Sequence, residues 1–348
     1  MKIFLPFKKE LNPYLEEIIA FSDNSFNYSS YDEYDGSYDI VNIHWPEALF
    51  QWKEPTESEL KTLEEQMILW KKGSLLVYTK HDYQRNKGTT VNFSKLFELV
   101  EKYTDVFIHL GQFSKDLYSR RYPKAIHEIV NHPLYKNHFE IHDKIKARKQ
   151  LGINENATVI IVPGTIRTYQ ERDLILNAFK DLKLPGKVLI CTNVHSEIRF
   201  DFPGRVKLKR VFDVKNYLVD KFRSKHQPPK YLFTYGMVPR KELELKMSAA
   251  DLVIIPRINT LNSGLVFLGL TYDKITVGPA CGNIREQIIE LGYPLFDPKS
   301  ISSLKKAIYK GLEMKNEGKQ SHPEILKKYE SENVAREMDR VFKNILNR

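Results

Sequence analysis

The 348-residue sequence lacks the features that mark secreted or membrane-spanning proteins. It has only two cysteines, Cys191 and Cys281, too few for a disulfide framework and without the spacing of a metal site. No run approaches the roughly 18 to 20 apolar residues that cross a membrane. The amino terminus also lacks the longer apolar region and cleavage site of a signal peptide. We therefore expect a cytoplasmic chain with both thiols reduced and buried.

Several nucleotide- and nucleic-acid-binding motifs are missing as well. No strand is followed by G-x-G-x-x-G, and G-x-x-x-x-G-K-[ST] does not occur, which disfavours a nicotinamide-binding Rossmann domain and a P-loop nucleotidase. No zinc finger, RNP-like stretch or basic zipper accompanies the basic residues. The formal net charge of +10 nevertheless predicts attraction to polyanions, namely phosphorylated substrates, an anionic membrane or nucleic acid. The other interpretation is a solvated basic surface.

Apolar strand-like runs alternate with helical patterns along the chain, which is typical of an open, mostly parallel α/β sheet. One series runs from "KIFLPF" to "AIHEIVNH", and a second runs from "ATVIIVPG" to "PLFD". The stretch between them, 136–150, is polar and has no strand pattern. The sequence thus predicts two α/β domains, 1–135 and 151–325, joined by this linker. A carboxy-terminal helix at about 326–348 could pack back on the first domain.

Residues that follow the strands are the candidate ligand-binding residues, because ligands bind beyond the carboxyl ends of an open parallel sheet. In "VPGTIRTYQERD", Gly164 allows close backbone approach, and Arg167 has a forked cationic head that suits phosphate. "VGPACGNIRE" contains a second glycine turn, at Gly282. Either turn alone could be an ordinary strand-to-helix connection.

A third turn lies in "NTLNSGLVFLGL", after the apolar run "DLVIIPR". Asn262, Ser263 and Gly264 would form the first turn of a helix, where free N–H groups and the helix dipole favour phosphate or diphosphate. Arg257 adds a full charge nearby. The alternative is an N-cap without a ligand, since Asn and Ser are ordinary caps. Three such turns in one domain favour a crevice for a nucleotide diphosphate.

These stretches resemble a known family. "PGTIRTYQERDLILNAF" and "ADLVIIPRINTLNSGLVFLGLTYDKITVGPACGNIRE" are similar to the carboxy-terminal half of GT-B glycosyltransferases, close to family 4. The resemblance extends over nearly the whole chain and implies two Rossmann-like domains that face a central cleft, the acceptor side first and the donor side second. It implies transfer of a sugar from a nucleotide-diphosphate sugar to a glycan or polyprenyl-linked acceptor, in cell-surface polysaccharide synthesis.

The resemblance also implies roles for individual residues of the second domain. The donor diphosphate would contact Gly164, Arg167, Arg172, Arg257, Asn262, Ser263 and Gly264. The donor nucleoside would contact Gly282, Asn283 and Glu286. Because GT-B enzymes bind their donors without a metal, we expect no metal and no cofactor besides the donor substrate. The lack of a DxD motif and of clustered His and Cys residues agrees with this expectation.

The sequence departs from the family pattern in two places. Many retaining relatives carry glutamates eight positions apart where this chain has Leu261 and Gly269, which leaves inversion or retention open. Relatives also tend to have Lys-Gly where this chain has Gln170 and Glu171. Arginine side chains would therefore carry more of the diphosphate charge.

An inverting enzyme needs a general base for the acceptor hydroxyl. The first domain offers His81 and Asp82 in "YTKHDYQRN", and His44 and Glu47 in "NIHWPE". If the enzyme inverts, we expect Asp82 to be the base and His81 to position the donor sugar, with His44 and Glu47 on the acceptor side. Each residue could instead cap a loop.

Two other functions fit parts of the sequence. One is a basic nucleotide- or nucleic-acid-binding protein without transfer chemistry, and the other is a sugar-nucleotide epimerase of GT-B fold. Polar residues at strand ends in both halves favour transfer, because binding alone would not need them in the first domain. We therefore expect no nucleic-acid partner.

An anionic membrane surface is a further expected partner, with peripheral attachment to its inner face. Lys8 and Lys9 in "FLPFKKELNPYLEEII", and Lys71 and Lys72 in "QMILWKKG", neighbour apolar residues. Trp70 fits the pattern of an interfacial anchor. The alternative is that Trp70 packs in the core and the lysines are solvated.

Overall fold

The computed structural model describes residues 1–10, 12–85, 88–194, 214–319 and 323–348. Within these ranges the chain forms two six-stranded sheets, and every strand pairing in them is parallel. Helices form most of the connections between successive strands, as is usual for parallel pairing. The predicted α/β architecture with two Rossmann-like units is confirmed.

The first sheet comprises β1 (Lys2–Leu5), β2 (Ser25–Tyr28), β3 (Ile40–Ile43), β4 (Leu75–Lys80), β5 (Val106–His109) and β6 (Ile126–Ile129). Its strand order is β2-β1-β3-β4-β5-β6. The helices along this part of the chain are α1 (Pro13–Ile19), a 3-10 helix (Pro46–Phe50), α2 (Glu57–Trp70), α3 (Val91–Tyr103) and α4 (Gln112–Arg121). The strand β2 was not predicted, because its sequence, SFNY, is polar and half exposed at the sheet edge.

The second sheet follows α5 (Lys144–Gln150), which occupies the end of the predicted linker. Its strands are β7 (Val159–Ile166), β8 (Val188–Val194), β9 (Tyr231–Phe233), β10 (Leu252–Ile254), β11 (Thr276–Pro279) and β12 (Leu295–Phe296), in the order β12-β11-β10-β7-β8-β9. The helices are α6 (Tyr169–Asp181), α7 (Val214–Lys225), α8 (Arg240–Ala249), α9 (Leu265–Thr271), α10 (Gly282–Glu290), α11 (Ile301–Asn316), α12 (Pro323–Lys327) and α13 (Ser331–Leu346).

In each sheet, successive strands are added first on one side of the starting strand and then on its other side. In the first sheet, β1 and β3 are neighbours, with β2 on one side and β4 to β6 on the other. In the second sheet, β7 and β10 are neighbours, with β8 and β9 on one side. The connections leaving such a pair of strands diverge and leave a crevice at their carboxyl ends. The two crevices define where a ligand can bind.

The last helix, α13, packs on the first sheet although it follows the second in the chain. Its apolar residues Val334, Met338 and Phe342 are buried in a cluster with residues of β1 and α1. The chain therefore crosses between the two sheets twice. The carboxylate of Glu17 on α1 contacts both crossing segments. It accepts hydrogen bonds from the backbone amide of Asn137 (2.9 Å) and from the hydroxyl of Ser331 (2.6 Å).

The helix α2 shows how its sequence selects the buried face. Thr56 and Glu59 form the capping box expected from their spacing, which fixes the first turn. Leu60, Leu63, Met67 and Trp70 follow at helical spacing and are buried against the sheet.

Trp70 is completely buried, so the alternative that it packs in the core is correct and it is not an interfacial anchor. The two lysine pairs of the predicted membrane surface are also separated from each other. Lys8 and Lys9 follow the carboxyl end of β1, whereas Lys71 and Lys72 precede the amino end of β4. Because these strands run parallel in one sheet, one lysine pair lies at the carboxyl ends of the strands and the other at their amino ends. No helix in the described ranges is long and apolar enough to cross a membrane.

Candidate functional site

A pocket of about 400 Å³ lies where the carboxyl ends of the two sheets meet. Asn12 and Pro13, at the start of α1, and Trp45, in the loop after β3, line it from the first domain. Arg167 and Arg257 line it from the loops after β7 and β10. The pairs β1 with β3 and β7 with β10 are those at which the side of strand addition changes. The pocket therefore occupies the crevices of both sheets at once.

Half of the predicted site residues line this pocket. The lining residues that were predicted are His81, Asp82, Arg167, Arg257, Asn262, Ser263 and Gly264. The predicted residues outside the lining set are His44, Glu47, Gly164, Arg172, Gly282, Asn283 and Glu286. Apart from Arg172, which lies beside α7, the second group divides into residues that support the lining side chains and residues that join the two domains.

Two arginines give the second-domain wall a positive charge. Arg257 is 5% exposed, and its Nη1 donates to the carbonyls of Thr165 (2.9 Å) and Pro256 (3.1 Å). Burial, the larger cause, and the positive charge of Arg167 together lower the pKa of Arg257 to about 10. Glu171 lies 3.5 Å from Arg257 and also accepts a hydrogen bond from the amide of Arg167 (2.6 Å). The carboxylate of Glu171 thus contacts the guanidinium group of Arg257 and the backbone of Arg167, and an anionic ligand would stabilise the two positive charges on this wall.

Gly164 supports this wall from behind. Its φ of +74° lies in the left-handed region that favours glycine. A Cβ atom there would also lie 3.4 Å from the side chain of Leu265, which lines the pocket. The glycine therefore lets β7 approach the turn at the start of α9, although it does not reach the pocket itself.

Arg172 lies on α6 and points to a different place. It is bonded to Asp173, and its guanidinium group stacks over the rings of Tyr169 (4.9 Å) and Phe222 (5.1 Å). This geometry places Arg172 beside α7 and outside the pocket lining. Its predicted role in diphosphate binding stays a prediction.

The turn before α9 reaches across to the first domain. The Asn262 side-chain amide donates to the backbone carbonyls of Lys80 (3.1 Å) and His81 (2.7 Å) at the end of β4. Leu261 is fully buried within an apolar cluster of the first domain. Ser263 and Gly264 follow at the pocket surface. The turn predicted to bind phosphate therefore also fixes the distance between the two domains.

The predicted nucleoside-binding residues make contacts between the domains in this structure. Glu286 accepts hydrogen bonds from the amides of Gln112 (2.5 Å) and Phe113 (3.1 Å), at the start of α4. Asn283 donates to the hydroxyl of Ser114 (3.0 Å) and to the side-chain oxygen of Asn262 (2.7 Å). Their contacts with a nucleoside stay predictions.

Gly282 is required by the same interface. Its φ is +52°, and a Cβ atom would lie 2.4 Å from the carbonyl oxygens of both Thr260 and Leu261. Only glycine allows α10 to begin directly against this segment.

The first-domain wall is aromatic and contains a buried histidine pair. His81 Nε2 lies 3.1 Å from His44 Nδ1, and the ring of Trp45 stacks on His81 with centroids 4.4 Å apart. Burial lowers the pKa of both histidines, that of His44 to about 3. Both rings are therefore neutral at pH 7. His44 acts behind His81 and fixes its orientation.

Asp82 and Glu47 form the acidic part of this wall. Asp82 lines the pocket, whereas Glu47 lies behind it in the 3-10 helix and is buried. Burial raises the pKa of Glu47 to about 7, and the negative charge of Asp82 contributes. Asp82 also lies near enough to Arg257 to raise the pKa of that guanidinium. The pocket thus places a carboxylate of one domain opposite the cationic wall of the other.

Sequence reasoning missed several pocket residues. Trp45 closely follows β3, so the strand-end rule also applies to it, whereas Asn12 lies at the far end of the loop after β1, as the N-cap of α1. Tyr14, His132 and Tyr135 also line the pocket. They are brought there by helix packing and by the segment after β6, which no local pattern predicts.

One group of residues in the described ranges has the geometry of a metal site. Glu140, His142 and Glu244 each offer a ligand atom, and these atoms lie within 4.8 Å of one another. The group is outside the pocket lining. Glu244 already accepts hydrogen bonds from Arg240 (2.9 Å) and from the amide of Glu140 (3.1 Å). These contacts explain its position without an ion.

Comparison with solved structures identifies the fold. HepE from Anabaena, solved with UDP and glucose, matches with a TM-score of 0.65 and 14% identity over 98% of this chain and 99% of that one. A glycosyltransferase from Rickettsia africae matches with a TM-score of 0.62 and 11% identity over 99% and 98% of the two chains. Sucrose-phosphate synthase from Thermosynechococcus elongatus matches with a TM-score of 0.63 and 12% identity over 89% and 74%. The fold is GT-B.

Sequence comparison adds one relative to this GT-B assignment. Lipopolysaccharide 1,2-N-acetylglucosaminetransferase of Salmonella typhimurium is 24% identical over 240 residues, which are 67% of this chain and 61% of that enzyme. The chain thus spans less than two thirds of the length of this curated relative. No protein-family model matches the chain.

Proposed function

We propose that this GT-B protein is a glycosyltransferase that moves a sugar from a nucleotide-diphosphate sugar to a hydroxyl group of a glycan or lipid-linked acceptor. One observation carries the proposal. A single pocket is lined on one wall by Arg167, Arg257 and the Ser263–Gly264 turn, and on the other wall by the carboxylate of Asp82. A cationic wall suits a leaving diphosphate, and a carboxylate opposite it suits activation of an acceptor hydroxyl.

The donor half of the proposal rests on charge. The positive charge of Arg167 contributes to the lowered pKa of Arg257, so a bound diphosphate would relieve the repulsion between the two groups. The same two groups would take the place of a divalent cation. We therefore propose transfer without a metal ion.

The acceptor half rests on the position of Asp82 and on Leu261. Leu261 stands where many retaining relatives of family 4 have a glutamate, and it is buried in the apolar cluster of the first domain. No carboxylate can act from that position. This supports an inverting mechanism with Asp82 as base and His81 beside the donor sugar. We also propose that the chain is close to family 4 of the GT-B glycosyltransferases.

The acceptor class follows from the sequence relative. That enzyme is named for transfer of N-acetylglucosamine to lipopolysaccharide. We propose that this chain likewise extends a saccharide of a cell-surface polysaccharide. The histidine-rich, aromatic wall formed by Tyr14, Trp45 and His81 suits the apolar face of a sugar ring.

A ligand panel tests the proposed activity. Thermal unfolding would be followed with UDP, GDP, ADP and CMP and with their sugar conjugates, in the presence and absence of EDTA. We expect one nucleoside diphosphate and its sugars to raise the unfolding temperature, because a ligand that binds only the folded state stabilises it. Stabilisation should be the same in EDTA. Stabilisation by RNA and by no nucleotide sugar would instead support the nucleic-acid-binding alternative.

We expect Arg167→Ala and Ser263→Leu each to weaken binding of the nucleoside diphosphate. The first removes a charge that faces the phosphate, a loss of about 1.5 to 3 kcal/mol or roughly tenfold to a hundredfold in Kd. The second fills the turn with a larger side chain. Isothermal titration calorimetry measures both, and Arg120→Ala, an exposed arginine on α4, is the matched control. Unchanged affinity in both variants would remove the diphosphate from this turn.

We propose that an anionic membrane contacts the first domain at the carboxyl ends of its strands, where Lys8 and Lys9 follow β1. Lys8→Glu with Lys9→Glu should reduce co-sedimentation with phosphatidylglycerol vesicles, because each lysine near the surface contributes about 1 kcal/mol. Lys72→Glu with Lys124→Glu makes the same charge change at the opposite edge of the sheet and should have little effect. Equal losses in both double variants, or equal sedimentation with phosphatidylcholine alone, would contradict this surface.

A further inference from the structure

The hydrogen bonds of His132 fix where its proton is. Its Nδ1 lies 2.8 Å from the carbonyl oxygen of Pro133, and a carbonyl can only accept, so Nδ1 carries the proton. Burial lowers the pKa of His132 to about 3, so the ring is neutral at pH 7. The ring stacks on Phe267 with centroids 4.1 Å apart and an angle of 3° between the planes. Its Nε2 therefore has a lone pair in a fixed direction.

That lone pair holds the hydroxyl group of Tyr135, whose oxygen lies 3.2 Å from Nε2. Because Nε2 has no proton, the tyrosine must be the donor. The backbone amide of Tyr135 donates to Thr271 Oγ1 (2.9 Å), which anchors the residue along α9. Its hydroxyl oxygen packs on Gly264, where a Cβ atom would lie only 2.5 Å away. The phenol is thus fixed next to the turn assigned to the diphosphate.

The hydrogen bond from the Tyr135 hydroxyl to His132 determines whether that hydroxyl can donate to, or only accept from, a ligand in the pocket. With its hydrogen directed at His132, the oxygen of Tyr135 has only lone pairs for the pocket that both residues line. Phosphate oxygens are also acceptors and gain nothing from it. A group that donates a hydrogen bond fits. The transferred sugar is attached directly to the diphosphate, on the side opposite the nucleoside, and its hydroxyl groups donate.

We propose that Tyr135, positioned by His132, accepts a hydrogen bond from a hydroxyl group of the sugar that is transferred and so contributes to the choice of donor sugar. This inference rests on the proposed function, because it requires the diphosphate at Ser263 and Gly264. It adds a residue pair that recognises the sugar and not the nucleotide.

Calorimetry on the intact chain with a nucleoside diphosphate and with its sugar conjugate tests the inference. Tyr135→Phe removes one oxygen atom and should weaken binding of the sugar conjugate about tenfold while changing the affinity for the diphosphate less than about twofold. His132→Phe keeps the stacking on Phe267. It should likewise weaken binding of the sugar conjugate more than binding of the diphosphate. Tyr103→Phe, which loses a hydroxyl bond to Glu64 far from the pocket, should leave both affinities unchanged.

A series of donors that each lack one sugar hydroxyl identifies the contact. The donor without the contacted hydroxyl should bind wild type and Tyr135→Phe equally well. If Tyr135→Phe weakens diphosphate and sugar conjugate equally, or weakens neither, the inference is wrong while the proposed function stands. If wild type binds no nucleoside diphosphate, both are wrong.

Discussion

Replacing Asp82 by Asn should lower turnover about a hundredfold or more and leave the affinity for the donor nearly unchanged. The substitution keeps the shape of the side chain but removes its ability to take a proton, and a positioned base contributes on the order of a hundredfold to ten-thousandfold. Asp82 lines the pocket opposite the arginine wall, so a hydroxyl bound between them would lie within its reach. Steady-state kinetics with the donor found by the ligand panel measures the loss.

Two further variants make this result interpretable. Asp32→Asn makes the same change at an exposed loop position and should leave turnover unchanged. Glu47→Gln removes the buried carboxyl behind Asp82 and should have the smaller effect of the two site variants, because Glu47 does not line the pocket. Near-normal turnover in Asp82→Asn, with a large loss in Glu47→Gln, would move the base to Glu47. Near-normal turnover in both would indicate a retaining mechanism.

Replacing Lys80 by Met should destabilise the protein by about 3 kcal/mol, since removing one partner of a buried ion pair typically costs about 3 to 5 kcal/mol. Lys80 Nζ lies 2.6 Å from Glu101 Oε1, and the two side chains are 0% and 3% exposed. The loss should fall near the lower limit because Glu101 keeps its hydrogen bond from Tyr122 (2.7 Å). The midpoint of urea unfolding, followed by circular dichroism, measures the effect.

The exposed pair between Lys95 and Glu57 supplies the control. Lys95→Met should barely move the urea midpoint, because water screens exposed ion pairs and they contribute little. The double variant Lys80→Met with Glu101→Leu should recover part of the lost stability, since it leaves no unpaired buried charge. If Lys80→Met unfolds at the same urea concentration as Lys95→Met, the buried pair does not support the strand end that carries Asp82.

The strand ends of the second domain could be predicted because a local pattern marks them. An apolar run shows where a parallel strand ends, and the next polar residues must lie at the ligand-binding edge. Arg167 and Arg257 were found in this way. In the first domain the same rule also applies to Trp45 after β3, whereas Asn12 reaches the pocket as the N-cap of α1. The spacing of Leu60, Leu63, Met67 and Trp70 likewise contained the signal that Trp70 faces the core.

Other features depend on contacts between segments far apart in the chain. The carboxylate of Glu286 meets the amide of Gln112, and their separation of 174 positions leaves no trace in either local sequence. The tyrosine and histidine near residues 132–135 reach the pocket only because that segment lies along α9. Such juxtapositions arise from how the two domains dock, and docking is decided by the shapes of complete surfaces.

The double crossing of the chain imposes an order on how the protein can be assembled at the ribosome. The elements from α5 to α11 are contiguous and supply most of the second core, so that unit can bury most of its apolar residues soon after it has been synthesised. The first sheet cannot, because the face covered by Val334, Met338 and Phe342 must wait until α13 has emerged. The half that is made first is therefore the half that is completed last, and its unfinished face is the surface a chaperone would meet during translation.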